Sequence, residues 1–231
     1  MEILNNFPLS VDKELIMQKL KIKKGTEDEK KFEQLINEGM KIGNPKVVYI
    51  EGFIDELGEE TVKINGIIFE SKLLRKNLEK VGRVFPFIAT SGMEMENKKF
   101  GNDDFLEKYW WDIIKEQFLF IARDHLIEYL KKNFSLGNVS IMSPGSGELG
   151  LWRIEEQKKL FSLFGDTEKL IGVKLTDSNL MIPNKSVSGI IFSTEKNFNT
   201  CKLCSRKNCP HRKAEFEKVF NVNQSEKSNL S

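Results

Sequence analysis

Cysteine, histidine and net charge are all scarce in this chain. Its 231 residues include three cysteines and two histidines, and its charges nearly cancel at +2. So small an imbalance gives no electrostatic reason to expect nucleic acid, which needs a basic patch or stripe. No apolar run approaches the roughly 18 residues that cross a bilayer. The N-terminal MEILNNFPLSVDKEL has no basic start followed by an apolar block, the form of a secretory signal, so a cytoplasmic location is expected. The cysteines all lie between Cys201 and Cys209. In a reducing compartment that clustering points to metal rather than to disulfides. What is plentiful is ordinary: 39% hydrophobic residues supply a core, and 30% charged residues a solvated surface.

Residues 1–45 read as a helical, polar region. Ser10 is expected to cap a helix from about Val11, with Leu15, Ile16 and Leu20 on its apolar face, and Gly25 to end it. A second helix is expected from Thr26 to Met40, burying Phe32, Leu35 and Ile36, with Pro45 beyond it. The period then changes. KVVYIEGFID (46–55) is a strand candidate, and TVKINGIIFE (61–70) is a hairpin turning at Asn65-Gly66. SKLLRKNLEKV (71–81) reads as a short helix capped by Ser71. VFPFIATSG (84–92) is a buried strand entering a loop of small residues.

The longest helix is expected over 103–134, with acids at its start and lysines at its end to match the helix dipole. Apolar residues nearly surround its middle, which marks a central core helix. Asp124 and His125 lie within it. His125 is read as a partly exposed helix residue, because no orienting partner for a catalytic histidine is visible. Helices and strands alternating in blocks give an α+β fold class. The expected organisation is a helical region (1–45), an α+β core (46–199), a cysteine-rich segment with a short helix (200–220), and a disordered polar tail (221–231).

The stretch from Val139 to Phe192 is the most distinctive. Ser143-Pro144-Gly145-Ser146-Gly147 precedes a helix expected near Ile154. Such a loop brings backbone close to a ligand, and the helix start offers N–H groups to a carboxylate or phosphate. A simple turn has the same composition, and neither the P-loop nor the dinucleotide fingerprint is present. LIGVKLT (170–176) is expected as a strand and Asp177, Ser178 and Asn179 as a turn. In the returning strand, Ser186, Ser188 and Gly189 leave room for a bulky neighbour, either a ligand or the long helix.

The order G-V-x-L-T-x-S-x-x-M-x-P-x-x-S-V-S-G, from Gly172 to Gly189, resembles the activation domain of cobalamin-dependent methionine synthase. The resemblance extends to the strand ending at Ala89-Thr90 and to the long helix. It is nearest to free-standing relatives with a C-terminal cysteine cluster. It implies an α+β fold in which a twisted antiparallel sheet packs on the long helix. It further implies S-adenosylmethionine binding and docking over the cobalamin of a partner, a methionine synthase or other corrinoid protein. There an electron from flavodoxin, ferredoxin or an equivalent donor and a methyl group from S-adenosylmethionine restore methylcobalamin. The residues so implicated are Ser143, Pro144, Gly145, Ser146, Gly147, Met181, Pro183, Ser186, Ser188 and Gly189. Glu155-Glu156-Gln157 also fall in corresponding places. The family's carboxylate-gripping arginine falls at Ile141 and its tyrosine at Ser146. Arg153 is nearby, as a solvated helix-start residue or a substitute cation. Either backbone groups and another cation hold S-adenosylmethionine, or that binding is lost.

Cys201-x-x-Cys204-x4-Cys209-Pro210-His211 is the second informative motif. Cys-x-x-Cys places two thiolates on one turn; Cys209 and His211 complete a Cys3His zinc set. Three cysteines also suit an iron–sulfur cluster. Unligated thiols are the third reading. Lys202, Arg206, Lys207, Arg212 and Lys213 surround the motif and favour thiolate. Three functions follow: an accessory protein reactivating a corrinoid enzyme in trans, a metal-stabilised module docking on a corrinoid protein without chemistry, or a small redox protein.

Overall fold

The computed structural model describes residues 1–146, 151–194, 200–206, 208–209, 212 and 214–216. The elements, in order, are β1 (Glu2–Leu4), α1 (Lys13–Leu20), α2 (Glu27–Ile42), β2 (Lys46–Tyr49), β3 (Gly52–Leu57), β4 (Thr61–Ile64), β5 (Ile67–Glu70), α3 (Lys72–Asn77), β6 (Arg83–Thr90), α4 (Met93–Glu96), α5 (Phe105–Phe134), β7 (Val139–Met142), α6 (Glu156–Ser162), α7 (Thr167–Ile171), β8 (Lys174–Leu175), β9 (Met181–Ile182) and β10 (Ser186–Ser193). The fold class is α+β: every strand pairing is antiparallel, and one 30-residue helix crosses the sheet.

β6 is the axis of the sheet. β10 pairs along it from Ser186↔Thr90 to Phe192↔Val84, and β7 adds outside β10. The other edge of β6 takes β2 and then β3, after which β3 turns away to pair with β4 and β5. The segment 46–55, expected as one strand, is interrupted at Ile50-Glu51. Pro86 accounts for the interruption. Its carbonyl accepts from Ile50 N at 3.1 Å, but its ring nitrogen has no hydrogen to return to Ile50, so the paired exchange of an antiparallel ladder is halved there.

Strand alternation sorts the core into two faces. Val47, Tyr49, Phe85, Phe87, Ala89 and Ile191 pack with Leu119, Ala122, Leu126 and Leu130 of α5. On the other face, Met142, Ile190 and Phe192 meet Trp152 and Leu160, while Val48 and Ile88 meet Phe161, Phe164 and Ile171. The first half of α5 turns a further side to α1 and α2, where Trp110, Trp111, Ile114 and Phe118 pack with Ile16, Met17, Phe32, Leu35 and Ile36. A helix covered by a sheet on one side and helices on another needs apolar residues nearly all round, as its sequence has.

Several expectations change. Asp12, not Ser10, caps α1, accepting from Leu15 N at 2.9 Å. Ile16 and Met17 are the buried residues of that helix, and Leu15 is exposed. β1 was not anticipated; it pairs with β2, and Glu2 accepts from Tyr49 and Tyr129 at 2.7 and 3.0 Å. The expected strand 170–176 is instead the end of α7, a left-handed Gly172, and the two residues of β8. Asp166 caps α7 through Lys169 N, a stop-and-start signal that outweighs the β-branched run. Of the short helix expected over 213–220, only 214–216 are described, and they are irregular; the tail 221–231 lies outside the described residues. His125 is half-buried, its ring edge-on to Phe7 at 5.0 Å.

The Asn65-Gly66 turn is present, with φ of 46° and 82° at the two residues, the mirror-image form that suits a two-residue hairpin. Ser71 caps α3 as expected, accepting from Leu74 N at 3.0 Å, and also donates to the Leu151 carbonyl at 2.6 Å. Its hydroxyl thereby ties the hairpin region to the segment leading into α6. Ser71→Ala is expected to cost about 1–2 kcal/mol, through the lost cap and the lost partner of a part-buried carbonyl. Urea denaturation at constant m-value checks it, and a change within error refutes it.

Candidate functional site

The ten residues singled out as a binding surface fall into two groups. Ser143, Pro144, Gly145 and Ser146 form the turn that follows β7. Ser146 N donates to the Ser143 carbonyl at 3.2 Å, and Gly145 N to the Trp152 carbonyl at 2.8 Å. Gly147 lies outside the described residues. Met181 and Pro183 belong to the β8–β9 hairpin and its exit, and Ser186, Ser188 and Gly189 to β10. Ser186 donates to the Pro183 carbonyl at 2.8 Å and lies 2.9 Å from Thr90 Oγ1. The turn reaches β10 at Gly189, whose neighbour Ile190 pairs with Met142.

The space beside Gly189 is filled from within the chain. A Cβ there would stand 2.5 Å from the Met142 carbonyl oxygen, 2.7 Å from Ser143 Oγ and 3.2 Å from Phe87. At Gly145 a Cβ would meet Ile154 Cδ1 at 2.6 Å. Both close approaches are to protein atoms. The start of α6 likewise differs from expectation. The amides of Glu156, Gln157 and Lys158 donate to the carbonyls of Arg153, Ile154 and Glu155 at 3.0–3.2 Å. A tight turn ahead of the helix thus engages the N–H groups that an exposed helix start would leave open. Arg153 is solvated and leans on Glu155 at 3.4 Å.

A strip of polar residues is buried on one face of the sheet. Ser188 is 2% exposed, and its hydroxyl has no hydrogen-bond partner among the described residues. It alternates with Ile190 and Phe192, so it faces the α6 side of the sheet. Ser91 Oγ and Asn179 Oδ1 are buried and unpartnered in the same sense. Gln157 on α6, 2% exposed, spans to the Asn179 carbonyl at 3.4 Å. Thr90 and Ser186 continue the strip at the end of β6 and β10. Unsatisfied buried acceptors and donors are costly, so each of these atoms calls for a ligand or water.

The loop between Pro183 and Ser186 is anchored by a charge cluster that the sequence reading missed. Lys115 of α5, 6% exposed, sits 2.9 Å from Asp112, 3.0 Å from Glu96 and 2.9 Å from Asn184 Oδ1. Lys185 reaches Asp112 at 3.2 Å. Burial pushes the Asp112 carboxyl up, but hydrogen bonding and charge from Lys115, with Lys185 behind them, outweigh it and hold the group below its ordinary value. The available signal was a lysine in W-W-D-I-I-K, three residues after an aspartate and otherwise amid apolar neighbours.

Ile141, where the resemblance places an arginine, pairs with Ile191 and packs against the apolar cluster under α5. The cysteine segment opens with a tight turn over Thr200–Leu203, in which Cys204 N donates to the Cys201 carbonyl at 3.3 Å. The three cysteines form no disulfide and are half-buried. Among the described residues no three potential ligands stand close enough to hold a metal ion; His211 lies outside them. No described helix is long and apolar enough to cross a membrane.

Residues 144–209 match the family model of the vitamin B12 dependent methionine synthase activation domain. Among solved structures, the chain is similar to the MetH reactivation domain bound to AdoHcy, with a TM-score of 0.60 at 18% identity. That likeness covers 79% of this chain and 71% of the other, and shows a shared fold. No curated protein matches. The matched span begins at Pro144 and ends at Cys209, so it takes in the turn, the hairpin, β10 and all three cysteines.

Proposed function

We propose, from this chain's likeness to the activation-domain family in both sequence and fold, that it supports the reductive reactivation of a cobalamin-dependent methionine synthase or related corrinoid protein in trans. The observation that carries the reading is that the Ser188 hydroxyl and the Asn179 amide oxygen are buried without partners among the described residues, both inside the span that the family model matches. This hydroxyl and amide oxygen fit an adenosyl or amino-acid moiety, which presents donors and acceptors of its own. S-adenosylmethionine supplies a methyl group when bound. This chain's part is to bind and orient: the hairpin and the 143–146 turn hold the ligand and exclude water, which is how positioning lowers a barrier. Met181, Pro183, Ser186 and Gly189, with Gly147, complete the proposed contact surface. Cys201, Cys204, Cys209 and His211 are the proposed metal ligands, for zinc or an iron–sulfur cluster. An electron from a flavodoxin- or ferredoxin-type donor completes the proposed reactivation.

Ile141 favours a second reading. An isoleucine packed under α5 makes no salt bridge to a carboxylate. In that reading the protein is a non-catalytic, metal-stabilised module docking on a corrinoid protein, with S-adenosylmethionine binding lost. Calorimetric titration with S-adenosylmethionine and AdoHcy separates the two. Saturable one-site binding is expected, weakened about tenfold by Ser188→Ala as one hydrogen bond is lost. A folded chain that binds neither ligand, yet still associates with a corrinoid protein, transfers the assignment to the docking module.

A further inference from the structure

α6 is held on two flanks by adjacent residues of its first turn. Glu156 is buried, and its carboxylate has two partners: Glu70 N of β5 donates to Oε2 at 2.8 Å, and Lys159 Nζ lies 2.8 Å from Oε1. Lys159 also donates to the Glu70 carboxylate at 3.0 Å. On the other flank the buried Gln157 donates from Nε2 to the Asn179 carbonyl at 3.4 Å. Successive helix residues point about 100° apart, so the two side chains leave α6 toward different elements. Asn179 belongs to the β8–β9 turn. Its φ is 62°, its amide donates to the Thr176 carbonyl at 2.9 Å, and Thr176 Oγ1 accepts from Leu180 N at 3.0 Å.

We propose that Glu156 is a positioning residue for the candidate site: it fixes the rotation of α6 and, through Gln157, sets the place of the Asn179 turn. The inference rests on the ligand-binding reading given above, in which Asn179 meets the ligand. A helix of seven residues is too short to be stable by itself. Its apolar contacts, through Leu160 and Phe161, hold it to the sheet without direction. The hydrogen bonds carry the direction. Burying a carboxylate is costly unless it is paired and hydrogen-bonded. Here both oxygens are engaged, and one of them accepts from the backbone of another element. The bond from Gln157 lies near the outer limit for a hydrogen bond, so a slight rotation of α6 breaks it. Loss of the Glu156 carboxylate therefore releases the Asn179 turn, although Glu156 is not itself among the proposed ligand contacts.

Calorimetric titration of the full chain with AdoHcy tests the role in a double-mutant cycle. Gln157→Ala and Glu156→Ala are each expected to bind about tenfold more weakly, the effect of about one hydrogen bond. Because Glu156 acts through Gln157, the double variant is expected to bind no more weakly than either single one; additive losses, about a hundredfold together, overturn the route. Glu156→Gln keeps an oxygen for Glu70 N and is expected to restore the wild-type affinity. Binding as weak as in Glu156→Ala overturns the role of the Glu70 bond. Thr26→Ala removes the distant cap of α2 and is expected to lower stability alone. If it weakens AdoHcy binding as Glu156→Ala does, general destabilisation explains the effect and the positioning role falls. Equal affinity in Glu156→Ala and the wild type also overturns that role, and leaves the ligand-binding reading standing. A wild-type chain that binds no AdoHcy overturns the ligand-binding reading instead, and amide exchange then judges the positioning by itself. Exchange at Asn179 and Leu180 is expected to quicken in Glu156→Ala; an unchanged rate overturns the positioning.

Discussion

Gly189→Val is expected to lower stability by at least about 3 kcal/mol, the upper range for forcing volume into a packed core. The obstacle is a backbone carbonyl. Met142 O lies 2.5 Å from where the Cβ would stand, and it belongs to the strand that pairs with β10. A flexible side chain could rotate away; a carbonyl held in a ladder cannot, so β7 must separate from β10. Amide exchange in β7 should quicken alongside the drop in urea midpoint. A midpoint within error of the wild type would refute the assignment. Gly145→Val should act more gently on the sheet, because the atom it meets is the tip of the Ile154 side chain, although its φ of 77° adds strain for any residue with a Cβ. From the sequence, Gly145 is expected to bring backbone close to a ligand, and Gly189 to leave room for a ligand or the long helix. Protein atoms stand where each Cβ would go, so both replacements are expected to disturb packing.

Lys115→Ala should be comparably severe, by a different route. Truncating it leaves Glu96 and Asp112 facing each other across a space with one fewer cation, and Asn184 without its donor. Breaking a buried pair costs about 3–5 kcal/mol; the low end is expected, since Asp112 is 40% exposed and solvent screens it. The same cluster sets a pH dependence. The folded-state Asp112 carboxyl lies below its ordinary value, so its contribution is complete above the unfolded value of about 3.9 and is lost as pH falls through the folded one. Wild-type stability should therefore decline more steeply on acidification than that of Lys115→Ala. A loss under about 1 kcal/mol, or parallel acid profiles, would show that water already does the work of the lysine. Because Asn184 and Lys185 lie between Pro183 and Ser186, the variant should also loosen the loop at the candidate site.

Local chemistry was legible where one residue type decides the backbone. Asn65-Gly66 turns a hairpin because both residues tolerate positive φ, and Ser71 caps because its hydroxyl reaches Leu74 N. α5 was legible through its all-round apolar pattern. Expectation failed where a short polar signal competed with a longer apolar one. Asp12 outcompeted Ser10 as a cap, and Asp166 started a helix in a stretch rich enough in Leu, Ile and Val to read as a strand. β1 is three residues long and takes its place from tertiary pairing with β2. At the site, the resemblance from Gly172 to Gly189 identified the hairpin and β10, and the family match over 144–209 includes them. The polar atoms that define the strip were out of reach. Ser188 becomes unpartnered, and Lys115 becomes buried against Asn184, only when segments some seventy residues apart are packed together.

The central position of β6 also governs when this protein can fold during its synthesis. β6 leaves the ribosome with β2 and β3 already made, yet the partner for its other edge is β10, about a hundred residues later, as in the pairing of Phe87 with Gly189. At elongation rates of roughly 5–20 residues per second, that open edge waits at least about five seconds. During the wait it is a hydrophobic strand able to pair with a stranger. α5 is synthesised within that interval and can cover one face of β6, but a helix on a face does not close an edge. A nascent chain of this design should therefore engage chaperones until β10 emerges, and halting translation before Ser186 should leave an aggregation-prone product.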